Sequence, residues 1–118
     1  MRLDHVQIAA PPACEAEARA FYGGVLGLEE IEKPEALRPR GGVWFRLGDG
    51  RELHIGVDAS FTPARKAHPA FAVDDLDALA ARLGNVTWDH ELPGVRRFYS
   101  SDPFDNRLEF LQSDCSAI

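Results

Sequence analysis

Four side chains stand where they could share a divalent metal: His5, His54, His68 and Glu109. Imidazole nitrogen and carboxylate oxygen suit borderline ions such as Mn, Fe, Co, Ni and Zn. Four protein donors around a six-coordinate ion leave about two positions for a substrate that chelates through two oxygens, and the ion then polarises a carbonyl or stabilises a developing oxyanion. Taken singly, each histidine reads as an ordinary surface or core residue and Glu109 as a solvated strand residue. The case rests on strand parity, because successive side chains of a strand point to opposite faces. In the segment 3–8, Val6 and Ile8 share one face, so His5 turns to the other with Leu3 and Gln7. In 52–57, Leu53, Ile55 and Val57 leave His54 opposite them, beside Gly56. In 68–73, Phe71 and Val73 leave His68 with Ala70 and Ala72, and in 106–111, Leu108 and Phe110 leave Glu109 with Arg107 and Leu111. The fourth histidine, His90, lies beside Trp88 and Glu91 ahead of Pro93 and reads as a loop residue.

The elements that must position these residues follow from periodicity. A strand over 3–8 is broken by Pro11-Pro12, and a helix is expected over about 14–26, where Ala18, Phe21, Tyr22 and Val25 recur at i, i+3, i+4, i+7. Gly23, Gly24 and Gly27 weaken its end. A short strand near 28–32 precedes a loop over 33–42 rich in Pro and Gly. Strands 43–47 and 52–57 then form a hairpin closed by Gly48-Asp49-Gly50. After a loop over 58–67 the order returns: a strand over 68–73, a helix capped by Asp74 or Asp75 with Leu76, Leu79, Ala80 and Leu83 on its apolar face, a stop at Gly84, and strands near 85–89, 95–100 and 106–111. The tail from Ser113 to Ile118 is expected to fray. The chain therefore reads as α+β, one domain over 1–118 built from two βαβββ modules, about 2–57 and 67–112. The expected architecture is a cupped mixed sheet with helices on its outer face. These four strands are the first and last of each module, so their four side chains converge if the modules face each other.

Composition bounds the function. The 118 residues, 45% hydrophobic and 27% charged, suit one globular domain. A formal charge of −6 argues against nucleic acid or an anionic membrane as partner. No apolar run reaches the roughly 18 residues of a membrane span, and Asp4 and His5 stand where a signal peptide would place apolar residues, so a cytoplasmic location is expected. Cys14 and Cys115 form no CxxC and are too few for a disulfide framework. Phosphate-loop, GxSxG and dinucleotide fingerprints are absent.

The chain resembles the vicinal oxygen chelate superfamily, which includes glyoxalase I, fosfomycin-resistance thiol transferases, extradiol dioxygenases, methylmalonyl-CoA epimerase and bleomycin-resistance proteins. The residues that carry the resemblance are Leu3-Asp4-His5-Val6-Gln7-Ile8, Phe21-Tyr22 with Leu26-Gly27-Leu28, the run His68–Leu76, and Asp102-Pro103-Phe104-Asp105-Asn106-Arg107-Leu108-Glu109-Phe110. Paired βαβββ modules are that superfamily's fold. The resemblance implies metal ligands at His5, His68 and Glu109, with position 54 as the fourth where one is used. Glyoxalase I has a carboxylate there and the epimerase an amide, whereas this chain has His54. The usual Gly of the Asp-Pro-x-Gly-Asn turn is Asp105, a residue that tolerates left-handed backbone.

The function expected is a metal-dependent enzyme (Zn, Ni, Mn or Fe) acting on vicinal oxygens of a small substrate by lyase- or isomerase-type chemistry, with Glu109 or His54 holding or moving a proton. Two alternatives stay open: an Fe(II) ring-cleaving dioxygenase, and a metal-free binder of a cationic drug in the manner of the bleomycin-resistance proteins. Arg96, Phe98 and Trp44 are candidates to touch the substrate, an Arg being suited to an anionic group. A homodimer is expected, and the pair His5/His54 could meet the pair His68/Glu109 within one chain or across two.

Overall fold

The computed structural model describes residues 1–113. Residues 114–118, which include Cys115 and most of the tail expected to fray, lie outside the described residues. Contacts divide the chain into two compact units, Met1–Ala64 and Arg65–Ile118. Each contains one four-stranded mixed sheet built in the same order.

In the first unit, β1 (His5–Ala10) is followed by α1 (Glu15–Ala18), then β2 (Glu29–Ile31), β3 (Val43–Arg46) and β4 (Glu52–Val57). The sheet order is β1-β4-β3-β2, with β1 parallel to β4 and the other pairs antiparallel. In the second unit, β5 (Ala70–Val73) and α2 (Leu76–Leu83) precede β6 (Thr87–Asp89), β7 (Arg97–Ser101) and β8 (Arg107–Gln112). Its order is β5-β8-β7-β6, again with only the first and last strands parallel. Two α+β modules of βαβββ type are thus present, as periodicity predicts.

One face of each sheet builds the core. In the first unit Ile8, Ala10, Val43, Phe45, Leu53 and Ile55 are buried with Ala18 and Tyr22, and the rings of Tyr22 and Phe45 lie 5.9 Å apart. In the second, Phe98, Leu108 and Phe110 are buried with Leu76 and Leu79 of α2. The Asp75 carboxylate accepts a hydrogen bond from Ala78 N at 3.1 Å, capping α2, and Gly84 (φ 79°) ends it. The opposite parity is left for His5, His54 and Glu109.

Several elements differ from the sequence expectation. The first helix is α-helical only over Glu15–Ala18 and continues as a π-helix, Arg19–Val25, with Leu26 N bonded to Phe21 O five residues back. Gly23 and Gly24, poor α-formers, sit inside the widened segment. The loop over 33–42 contains a 3-10 helix, Glu35–Arg40. His68 lies ahead of β5 rather than in it, since Pro69 between them has no N–H to give a ladder. Arg96 likewise lies ahead of β7. Ser113 is held by its N–H to Val73 O at 2.7 Å, so the last sheet's pairing continues through it.

Gly42 is the tightest backbone position. Its φ is 89°, and a Cβ there would stand 2.1 Å from the Ile55 carbonyl oxygen. Its N–H donates to Glu15 Oε2 at 2.7 Å, and that bond holds the Glu15 carboxyl below its ordinary value. Two outcomes follow. Gly42→Ala adds left-handed strain to a backbone clash and costs about 3 kcal/mol or more in urea unfolding. A carboxyl whose folded pKa is depressed stabilises the fold fully above its unfolded value, about 4.5, and loses that contribution as pH falls through the folded value. Glu15→Gln therefore lowers stability by about 1 kcal/mol at pH 7, after discounting for solvent, and flattens the acid limb of Tm against pH.

Candidate metal centre

Parallel closure of each module brings its first and last strands together. The register pairs Gln7 with His54 and Ala70 with Glu109. His5 stands two residues before Gln7, and His68 two before Ala70. Each module thus sets one histidine at the same offset from one residue of its last strand, and the four candidate ligands fall into two equivalent pairs.

In the second unit the pair is in direct contact: His68 Nε2 lies 2.9 Å from Glu109 Oε1. His68 Nδ1 lies 2.9 Å from the Lys66 carbonyl oxygen, which can only accept, so Nδ1 carries a proton. A neutral imidazole has no second N–H to offer Glu109. The contact therefore calls for one more positive charge between Nε2 and Oε1, either a proton or a metal ion bound by both. The separation is that of an ordinary hydrogen bond, and it is short enough for one ion to reach both donor atoms. A ring whose far nitrogen is fixed by a backbone carbonyl is also the usual outer support of a metal-binding histidine. These residues fit a divalent cation.

Glu109 is nearly buried and has its second oxygen occupied: Arg97 Nη1 donates to Oε2 at 3.3 Å, and Arg97 Nη2 to Asp89 at 3.2 Å. Burial opposes the charge of Arg97, but Asp89, Tyr99 and Glu109 outweigh it and raise its pKa further. The strand is set by the turn before it. Asp102 Oδ1 accepts from Phe104 N and Asn106 N, both at 2.9 Å, while Asn106 Nδ2 donates to Asp102 Oδ2. Asp105 takes the left-handed conformation (φ 72°) in place of glycine.

In the first unit the pair meets by stacking. The His54 ring lies 3.7 Å from that of Trp44, interplanar angle 1°, and 4.3 Å from that of His5. His54 is buried, and its Nε2 faces Glu52 Oε1 at 2.9 Å, so Nδ1 is the nitrogen left for a metal. His5 Nδ1 meets Asp4 Oδ2 at 2.9 Å, a hydrogen bond that lowers the Asp4 pKa and leaves Nε2 as the donor atom. Among the described residues, no group of three or more His, Cys, Asp or Glu side chains gathers as a metal site.

The substrate candidates divide. Trp44 is on the His54 face of its sheet. Phe98 is wholly buried against Phe110 and Trp88, on the core face of β7, so it is not beside Glu109. Arg96 is held by two hydrogen bonds to Asp77 of α2, at 2.8 and 3.0 Å, and lies over the Trp88 ring. The residues of β7 that share the Glu109 face are Arg97 and Tyr99, the latter in direct register with Glu109. Starting β7 at Arg97 instead of 95 leaves parity unchanged, so alternation from the buried Phe98 could have selected them. Glu52, two residues before His54, was legible by the same rule.

No family model matches the chain. Among curated proteins it is 46% identical over 59 residues, 45% of this chain, to ribosomal protein uL3 glutamine methyltransferase of Bradyrhizobium diazoefficiens, and it spans 18% of that protein's length. Among solved structures, a Bacillus anthracis protein assigned to the glyoxalase family is 52% identical, with a TM-score of 0.91 over 97% of this chain and 96% of that one. A glyoxalase/dioxygenase from Nostoc punctiforme (22%, TM-score 0.75, covering 95% and 90%) and lactoylglutathione lyase from Agrobacterium tumefaciens (23%, 0.70, 95% and 93%) share the fold.

The stack makes a prediction. His54→Phe preserves a ring between Trp44 and His5 and keeps the near-ultraviolet circular dichroism of Trp44, whereas His54→Ala loses that signal. The alanine variant also costs about 2 kcal/mol more than the phenylalanine variant in urea unfolding.

Proposed function

Because the chain belongs to the glyoxalase family of the vicinal oxygen chelate superfamily, we propose that it is a metal-dependent enzyme that holds a small substrate by two adjacent oxygens and performs lyase- or isomerase-type chemistry on it. The ligands in this reading are His5, His68 and Glu109, with His54 Nδ1 as the fourth donor. The observation that carries it is the His68 ring set between two acceptors, the Lys66 carbonyl and the Glu109 carboxylate, both at 2.9 Å. When bound, a divalent ion (Zn, Ni, Mn or Fe) supplies Lewis-acid polarisation of a substrate carbonyl.

The chain's own residues do the rest. Asp4 and the Lys66 carbonyl fix the tautomers of His5 and His68, so that each presents Nε2. Arg97 engages one oxygen of Glu109 and leaves the other as a donor. Glu52 engages His54 Nε2 and fixes the ring, so that Nδ1 either completes the ligand set or, left off the metal, holds and moves a substrate proton, the role otherwise open to Glu109. Trp44, stacked on that ring, limits its rotation. Members of the superfamily act on small molecules and often form oligomers; in this reading the protein is a cytoplasmic homodimer and a single glyoxalase-like domain. Among the described residues no helix is long and apolar enough to cross a membrane.

Metal analysis of protein purified without chelators tests the reading. Wild type is expected to carry one equivalent of a divalent transition metal, and the His5→Ala/Glu109→Ala variant to carry none while remaining folded. Iron would direct assays to oxygen chemistry, and nickel, zinc or manganese to isomerase and transferase assays. A wild type that takes up no divalent ion even on incubation with each in turn would overturn the metal site and leave the drug-binding alternative.

A further inference from the structure

The sheet face that carries Glu109 also carries two guanidinium groups around one phenol ring. The Arg107 guanidinium carbon lies 4.1 Å from the Tyr99 ring centroid and that of Arg97 5.6 Å. The same ring meets His68 edge-on at 5.6 Å. Arg97 is neutralised by Glu109 and Asp89. Arg107 is not: among the described residues no carboxylate pairs with it, although acidic residues outnumber basic ones nineteen to thirteen in the chain. Other arginines of this unit do have carboxylate partners, Arg65 with Asp105 and Arg96 with Asp77. The Tyr99 hydroxyl has no hydrogen-bond partner among the described residues. Both residues are half-buried, Tyr99 in the middle of β7 and Arg107 at the start of β8.

We propose that Arg107 and Tyr99 form an oxyanion subsite beside the His68–Glu109 pair, and that the substrate is therefore an acid, bearing a carboxylate or a phosphate in addition to its chelating oxygens. The guanidinium offers a planar fork of N–H donors and the phenol one O–H, a combination matched to an oxyanion. Stacking on Tyr99 holds the fork without consuming its donors. The charges of Arg97, Arg107, Asp89 and Glu109 cancel, so a divalent cation held by His68 and Glu109 would leave the face with two positive charges, which a substrate carrying two negative charges would neutralise. In this respect the inference rests on the metal reading, while the Arg107–Tyr99 arrangement stands without it.

The test uses three 2-hydroxy acids with the same chelating pair of oxygens: lactate, malate, which adds a carboxylate, and 3-phosphoglycerate, which adds a phosphate. Calorimetric titration of the zinc-loaded wild type is expected to give at least tenfold tighter binding of malate or of 3-phosphoglycerate than of lactate, and the favoured one identifies the anion. Arg107→Gln should bring all three within twofold and leave lactate unchanged; Tyr99→Phe should lose part of the gain. Should Arg107→Gln fail to fold by circular dichroism, Arg107→Lys serves in its place, with the gain cut at least threefold. Equal binding of all three acids by wild type, or a gain that survives both Arg107 variants, would overturn the subsite. A protein that takes up no zinc fails the metal reading instead. The metal-free protein is then titrated with malate and with inorganic phosphate while arginine side-chain NMR signals are followed: a shift that vanishes in the Arg107 variant supports the subsite, and no such shift overturns it.

Discussion

The constraint on which the rest depends is the parallel pairing of the first and last strand of each module. In a βαβββ unit the other neighbours are antiparallel and can be joined by short turns, but β1 reaches β4, and β5 reaches β8, only across the whole module. That pairing buries one face of the last strand between two neighbours and fixes its register. With a side-chain period of two, a slip of one residue would carry His54 or Glu109 to the core face. The core residues Leu53, Ile55, Leu108 and Phe110, all buried, are what such a slip would expose. Hydrophobic burial thus holds the polar face in place without any contact to it.

The two modules use the same placement for different chemistry. His68 faces a carboxylate, and the contact lacks a positive charge unless a proton or metal supplies it. His5 faces a second imidazole, itself clamped between an indole and a carboxylate. A carboxylate at position 54 would bring a second negative charge to the candidate ligands; His54 brings a ring that packs. Glu52 restores a carboxylate nearby, two residues back along the same strand and one bond removed. Glu52 therefore bears on the His54 ring from within β4, at the nitrogen away from the one left for a metal.

Much of this was legible in the residues. Alternation gave the bounds of β4, and Asp75, Gly84 and Asp105 have side chains or backbone freedom suited to the cap, stop and left-handed turn they form. What was not legible depends on tertiary context. A π-helix bonds five residues back where an α-helix bonds four, and the apolar spacing of Ala18, Phe21 and Tyr22 serves either. Gly42 lies just ahead of β3, and the approach of Ile55 O to it depends on where the β3–β4 hairpin pairing ends, which the residues around Gly42 do not announce. Arg96 and Arg97 are adjacent and identical in type, so only the buried parity of Phe98 separates a guanidinium that reaches α2 from one that reaches Glu109.

Arg97 also decides what Glu109 can offer. A carboxylate with both oxygens free can chelate an ion through two bonds and fill two coordination positions. Here Oε2 accepts from Arg97, and Arg97 is itself braced by Asp89, so Oε1 alone is turned toward His68. In the proposed metal reading Glu109 would thus give one donor atom rather than two. A carboxylate that gives one donor atom would leave one more position for a substrate that binds through neighbouring oxygens. The ion pair that Arg97 forms behind Glu109 would in that reading favour chelation by the substrate over chelation by the carboxylate.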